Sequence, residues 1–268
     1  MIGSSSNWLP WRILHRSLRY LSTLVVLVLA SQPICGADFV VETRMFDGDG
    51  KKPFSRNRTL FYEGQVYDFI VSGKEITVMD KSLGRFVLLD TRRKVKAEVS
   101  TDQVLGYTQH IKTWAGSKND PLLKFYANPT FDVVEKGKTK LLLKAAALSY
   151  DVDAQSETTE IVGQYREFSD WFARLNSAVN PGSQLPFPRL ALNNHLARRQ
   201  LVPTTVELTI APQPRFDNKP IVLRAEHEWR SELSADEISQ IEEARRLLVK
   251  FKVVPLPEYR KPDLQAGR

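Results

Sequence analysis

Leu60-Phe-Tyr-Glu-Gly-Gln-Val-Tyr-Asp-Phe-Ile-Val-Ser-Gly-Lys-Glu-Ile-Thr-Val-Met-Asp-Lys-Ser-Leu-Gly-Arg-Phe-Val-Leu-Leu-Asp90 is a set of short β-branched and aromatic runs cut by Glu63-Gly64, Ser72-Gly73 and Lys81-Ser-Leu-Gly84. Such punctuation predicts an antiparallel meander. A two-residue turn at 63 and 64 pairs Leu60 with Tyr67, and one at 72 and 73 pairs Phe69 with Ile76. A four-residue loop at 81 to 84 then pairs Val78 with Val87 and Ile76 with Leu89. A three-residue loop at 91 to 93 then pairs Leu89 with Val95 and Val87 with Ala97, and one face carries Leu60, Tyr67, Phe69, Val71, Ile76, Val78, Val87, Leu89, Val95, Ala97 and Val99. The other face still holds Phe61, Val66, Ile70, Met79, Phe86 and Leu88. A sheet apolar on both sides must be covered on both, or must wrap around something on one of them.

Outward from this segment, Phe39 to Phe46 reads as a strand. A helix is expected from Thr101 to Ala115, capped by Ser100 with Gln103 three residues on, apolar at Val104, Tyr107, Ile111 and Trp114 and stopped by Gly116. A helical turn through Leu122, Leu123 and Phe125 precedes strands at 130–135, 139–145 and 147–152. The spacing of Ile161, Tyr165, Phe168, Phe172, Leu175 and Val179 predicts a helix over 160–179, ended by Asn180-Pro181-Gly182. A short helix from Pro188 to Arg199 and strands at 206–210 and 221–229 follow. Ser234 and Glu237 form a capping box for a last helix that faces inward with Ile238, Ile241, Leu248 and Phe251. Pro255 and Pro257 stop it and leave 258–268 as a mobile tail, so 38–257 reads as a single α+β domain.

At 268 residues, 42% hydrophobic and 26% charged, the composition is that of a folded chain. The first 37 residues hold Arg12, Arg16 and Arg19 and no acid, then the apolar run Leu21 to Ala30. Positive, apolar, small is the layout of a signal peptide, with Cys35 and Ala37 as the small residues before a cut at Asp38. An uncleaved anchor and a lipid-modified Cys35 are the competing readings. Cleavage leaves 35 basic against 31 acidic side chains, so the formal charge falls from +7 to +4. That balance and export give no reason to expect a nucleic-acid partner. The single cysteine excludes an internal disulfide or a cysteine-based zinc cluster.

No motif names a reaction. Asp47-Gly-Asp-Gly50 opens like a cation loop but lacks the later ligands of a calcium site, and Asp151 and Asp153 read the same way. The mature histidines His110, His195 and His227 stand far apart, so neither a metal nor a cofactor is expected. His227 lies on the apolar face of its strand and reads as a core histidine, with Glu226 and Glu228 pointing the other way. Phosphate loops and serine-nucleophile motifs are absent. Arg189, Arg198 and Arg199 on one short helix suit a solvated face or an anionic lipid.

The segments Leu60 to Phe69, Glu75 to Asp80 and Arg85 to Asp90 resemble, over about 60 residues, the bacterial outer-membrane lipoprotein-sorting and carrier proteins. That resemblance implies a meander curled into a half-barrel around a hydrophobic cavity, with helices as lid or plug. The leading expectation is therefore an exported, non-catalytic α+β protein that binds an apolar ligand, a lipid or lipoprotein acyl chain, or an envelope partner. Its ligand would lie on the face of Tyr67, Phe69, Ile76, Val78, Val87 and Leu89. Two alternatives stay open: an extracytoplasmic hydrolase with a site from His227, Glu226 or Asp151, and a structural envelope protein with a filled core.

Overall fold

The structure, a computed structural model, describes residues 36–71, 74–180, 182–212 and 219–261. The expected signal peptide up to Cys35, the turn at 72 and 73 and the last seven residues lie outside the described residues. Ala37 and Asp38, which flank the expected cut, are described: Ala37 packs on the core and Asp38 accepts the Glu63 backbone N–H at 3.0 Å. No helix among the described residues is long and apolar enough to cross a membrane.

Positive φ at Glu63 (49°) and Gly64 (74°) makes the tight hairpin turn that matches strand twist. Around it run β1 (Phe39–Asp47), β2 (Ser55–Tyr62), β3 (Gln65–Ile70), β4 (Glu75–Asp80), β5 (Arg85–Asp90) and β6 (Val95–Ser100). Leu60 lies opposite Tyr67, Phe69 opposite Ile76, Val78 opposite Val87 and Ile76 opposite Leu89, as the turn arithmetic requires. After β5 the outcome differs. Leu89 pairs with Lys96, and Leu88 rather than Val87 pairs with Ala97, because the connecting loop has four residues, 91 to 94. Asp90 Oδ1 accepts the N–H groups of Arg92 and Arg93, both at 2.9 Å, and Lys94 takes a left-handed φ of 55°. Val95, Ala97 and Val99 thereby move to the face of Phe61, Val66, Met79, Phe86 and Leu88. Val71 lies beyond the strand and is exposed.

The chain continues through α1 (Thr101–Ser117), α2 (Pro121–Ala127), β7 (Asp132–Glu135), β8 (Lys140–Lys144), β9 (Leu148–Ser156), α3 (Thr159–Val179), α4 (Phe187–Ala197), β10 (Leu201–Ile210), β11 (Ile221–Arg230), α5 (Ala235–Lys250), β12 (Lys252–Val253) and α6 (Leu256–Tyr259). All twelve strands form one sheet, in the order β12-β6-β5-β4-β3-β2-β1-β11-β10-β9-β8-β7. Every pairing is antiparallel except the short β12 beside β6. The sheet is open and not strongly curled, with β12 and β7 as its edges. Its two sides are covered by different helices. Val104 of α1, Val162, Phe168 and Leu175 of α3 and Tyr259 of α6 join the core on one side, as do Tyr126 of α2 and Leu192 and Leu196 of α4. On the other side α5 lies alone over β2 to β5, with Ile241, Ala244 and Phe251 against Leu60, Tyr67, Val78, Val87 and Leu89. The exposed half of that side carries ion pairs, among them Arg44 with Glu226 and Lys140 with Asp153, as a solvated antiparallel face does.

Both expected capping boxes are present, Ser100 with Gln103 and Ser234 with Glu237. In α1 the buried stripe is Val104, Thr108 and Ala115, which leaves Tyr107 and Trp114 exposed. Residues 258 to 261, the start of the expected mobile tail, are docked through Tyr259, and the rest of that tail lies outside the described residues. Tyr259 is buried, and Arg93 donates to the carbonyls of Tyr259 and Lys261.

Candidate functional site

The six residues expected to hold a ligand share one face, and that face is occupied by α5. Tyr67, Val78, Val87 and Leu89 are buried and Phe69 and Ile76 half-buried against it. Arg245 of α5 donates to the Tyr67 hydroxyl at 3.0 Å and pairs with Glu63 at 2.7 Å, and Lys96 donates to the Leu248 carbonyl at 2.6 Å. A cavity lies on the opposite face, under α3. A strand pattern apolar on both faces does not say which cover fits without gaps.

A cavity of about 450 Å³ lies there, within the few-hundred-Å³ range of small-molecule sites. Side chains at alternate positions form its floor because they share one side of the pleat. Val41, Thr43 and Met45 come from β1, Val206 and Leu208 from β10, and Leu223, Ala225 and His227 from β11. Phe168, Phe172 and Ala173 of α3 and Leu185 and Pro186 of the α3–α4 connection form the roof. Beyond Gln184 and Leu185, which line both spaces, an apolar groove of about 390 Å³ continues between Leu122, Leu123 and Tyr126 of α2 and Ile210 and Ile221 of the β10–β11 end. An aromatic cluster adjoins the cavity at Tyr165. Phe39 stacks on Phe61 at 3.9 Å, and Trp229 meets Tyr165 edge-on at 4.7 Å. Trp229 Nε1 donates to the Pro203 carbonyl at 2.9 Å, beside the irregularity in β10 between Pro203 and Thr205.

A polar row crosses this floor from β11 to β3. Thr43 Oγ1 lies 2.9 Å from His227 Nδ1. Asp68 accepts from Thr59 Oγ1 at 2.7 Å and from Asn57 Nδ2 at 3.0 Å. Burial pushes the Asp68 carboxyl above its usual range despite those two donors. Burial, helped by the positive charge of Arg189, pushes the His227 imidazole down to about 3, so the ring is neutral at physiological pH. Its Nε2 is buried without a hydrogen-bond partner, although the residue as a whole is only partly covered.

The roof supplies one cation. Arg189, in the first turn of α4, donates through Nε to Asn193 Oδ1 at 3.0 Å, and Asn193 donates to Asp170 at 2.8 Å. Burial raises the Tyr165 hydroxyl, with Arg189 and Ser169 pulling the other way through hydrogen bonds. The three helix arginines therefore do not share a face: Arg189 lines the cavity, Arg199 pairs with Glu135 and Arg198 is exposed.

His227 enters the cavity, but Glu226 and Asp151 lie on the opposite side of the sheet with Arg44, Arg224 and Lys136. The expected trio does not converge. Among the described residues no group of three or more His, Cys, Asp or Glu side chains is placed to hold a metal ion. Sequence reasoning did not single out Thr43 or Asp68, whose only signal was a polar residue at an inward position of an otherwise apolar strand, and it read Tyr165 only as part of the apolar stripe of α3. No protein-family model matches the chain, and no curated protein matches it.

Proposed function

We propose that this chain is an exported, non-catalytic binding protein for an elongated apolar ligand such as an acyl chain, held between the sheet and α3. The observation that carries this reading is the cavity under Phe168 and Phe172, apolar over the larger part of its surface, that continues past Leu185 into a second apolar groove. Chain-shaped ligands fit such a path better than compact ones. The sequence resemblance to lipoprotein-sorting and carrier proteins supports it. In this reading the α3–α4 layer plays the part of the lid over an open sheet, and the α5 face is the filled one.

The test is a titration of purified protein with the neutral fluorescent probe N-phenyl-1-naphthylamine. Saturable enhancement is expected, and Ala173→Trp, which pushes an indole into the cavity from α3, should reduce it at least tenfold with the thermal midpoint nearly unchanged. Val87→Trp, on the α5 face, should lower stability and leave probe affinity alone in the folded protein. Absence of saturable binding by the wild-type protein would overturn the proposal.

A further inference from the structure

We infer that the ligand carries a carboxylate head, held between Arg189 and His227 while its apolar body runs past Leu185. This rests on the cavity reading above. Arg189 is the one Arg or Lys among the described residues lining the cavity. Its guanidinium is steered by Asn193, which Asp170 holds in turn. That chain of contacts fixes the orientation of a fork whose geometry matches a carboxylate.

His227 adds a directional partner. When Thr43 donates its hydroxyl hydrogen to Nδ1, the neutral ring carries its proton on Nε2, a donor that the protein itself leaves unpaired. A buried donor without an acceptor is costly, and a small turn of the ring that opens Nε2 to the cavity would let a ligand oxygen remove that cost. The first turn of α4 points the same way. It starts at Pro186 with no side-chain cap and no acidic residue, and it bears Arg189 instead. A cation in the first turn opposes the helix dipole, and a bound anion relieves both.

The cavity's acid lies at the far end. Asp68 stands on β3, three strands from His227 on β11, roughly 14 Å at the usual strand spacing. It is satisfied by Thr59 and Asn57. A carboxylate head therefore belongs at the Arg189 end, where the apolar exit past Leu185 also begins.

The test compares 11-(dansylamino)undecanoic acid with its methyl ester, which keeps fluorophore and chain and removes only the charge. The wild-type protein should bind the acid about ten- to a hundredfold more tightly, the range of a charge-assisted pair in a partly buried site. Arg189→Leu should bring the acid down to the ester's affinity without weakening the ester, Arg189→Lys should keep part of the preference, and His227→Leu should lower it several-fold. Equal affinity of acid and ester for the wild-type protein would overturn the inference while leaving the apolar site standing. Saturable binding of neither would sink both. The wild-type comparison decides even if Arg189→Leu does not fold.

Discussion

The two faces of β2 to β5 are built from the same kinds of residue and end differently. Under α5, Leu60, Tyr67, Val78, Val87 and Leu89 meet Ile241, Ala244 and Phe251, and α5 is tied down at Arg245 and at its C-terminal carbonyls. Under α3, Phe61, Val66, Met79 and Phe86 form an equally buried patch. There, however, Thr59, Asn57 and Asp68 follow on the same face toward the sheet centre, and a cavity opens over them. Alternating apolar residues thus dictate that a face is covered. Polar residues interrupting that alternation mark where the cover stands off.

The largest effect should separate the faces directly. Ile241→Ala or Leu89→Ala, each removing a side chain that is 0% exposed, is expected to lower unfolding free energy by about 2–5 kcal/mol in urea titration. Leu208→Ala, at the cavity wall, should cost less than about 1.5 kcal/mol, because its neighbours are already incompletely packed. Equal losses at both sites would break the comparison, since they would mean that the α3 side is packed as tightly as the α5 side.

His227 gives the next largest signal. Its imidazole is held near pKa 3 in the folded protein, against about 6.5 in an unfolded chain. Below 6.5 the unfolded state takes up a proton that the folded state refuses, so stability is lost as pH falls from about 6.5 toward 3. Between pH 7 and 4.5 this amounts to about 2–3 kcal/mol. Asp68 works with the opposite sign, because its raised folded value favours the protonated native state as pH falls. It is present in both proteins and cancels in the difference. His227→Leu should therefore show a shallower loss of urea midpoint over that interval. An unchanged slope would place the imidazole in contact with water.

Much of this architecture was legible in the sequence, and what was not has identifiable causes. The hairpin registers from Leu60 to Leu89 followed from glycine turns, and the helix starts at Ser100 and Ser234 followed from capping boxes. The register of β6 did not follow, because its loop lacks the glycine that marks the loop at 81 to 84. The shared signal was the preceding aspartate: Asp80 accepts from Leu83 N at 3.2 Å just as Asp90 accepts from Arg92 and Arg93. The site was half legible. His227 on an inward position was readable, whereas Arg189 faces the cavity only because α4 folds back over β10, a tertiary fact that no local pattern encodes. The pairing of β1 with β11, which brings Thr43 to His227, is likewise non-local.

Glu237 tests how firmly α5 is clipped to its face. It is buried, accepts from Arg230 and lies 3.4 Å from Arg58, while closing the capping box with Ser234. Burial pushes its carboxyl up, but the hydrogen bonds from Arg230 and Ser234 outweigh this and hold it below the usual range. Its contribution is therefore present at neutral pH and lost as pH falls through that lowered value. Glu237→Gln is expected to cost about 1.5–2 kcal/mol at pH 7, less than the core truncations, with a smaller penalty at low pH. A neutral outcome would mean that the helix is held by its apolar contacts and the Arg245 and Lys96 ties without Glu237.

The smallest effect concerns the loop that decides which face β6 serves. Gly84 and Lys94 end loops of equal length with nearly equal φ, 56° and 55°. A side chain in that left-handed region costs roughly 1–2 kcal/mol, offset in part by the roughly 0.5–1 kcal/mol of extra chain freedom that glycine loses on folding. Lys94→Gly should therefore stabilise the protein by a few tenths to about 1 kcal/mol, seen as a higher urea midpoint with an unchanged slope. It keeps Val95, Ala97 and Val99 under α3 and Lys96 on the α5 side. Destabilisation instead would show that the left-handed loop end is not the native one. The three-residue loop would then regain its standing, and with it a β6 whose apolar residues face α5.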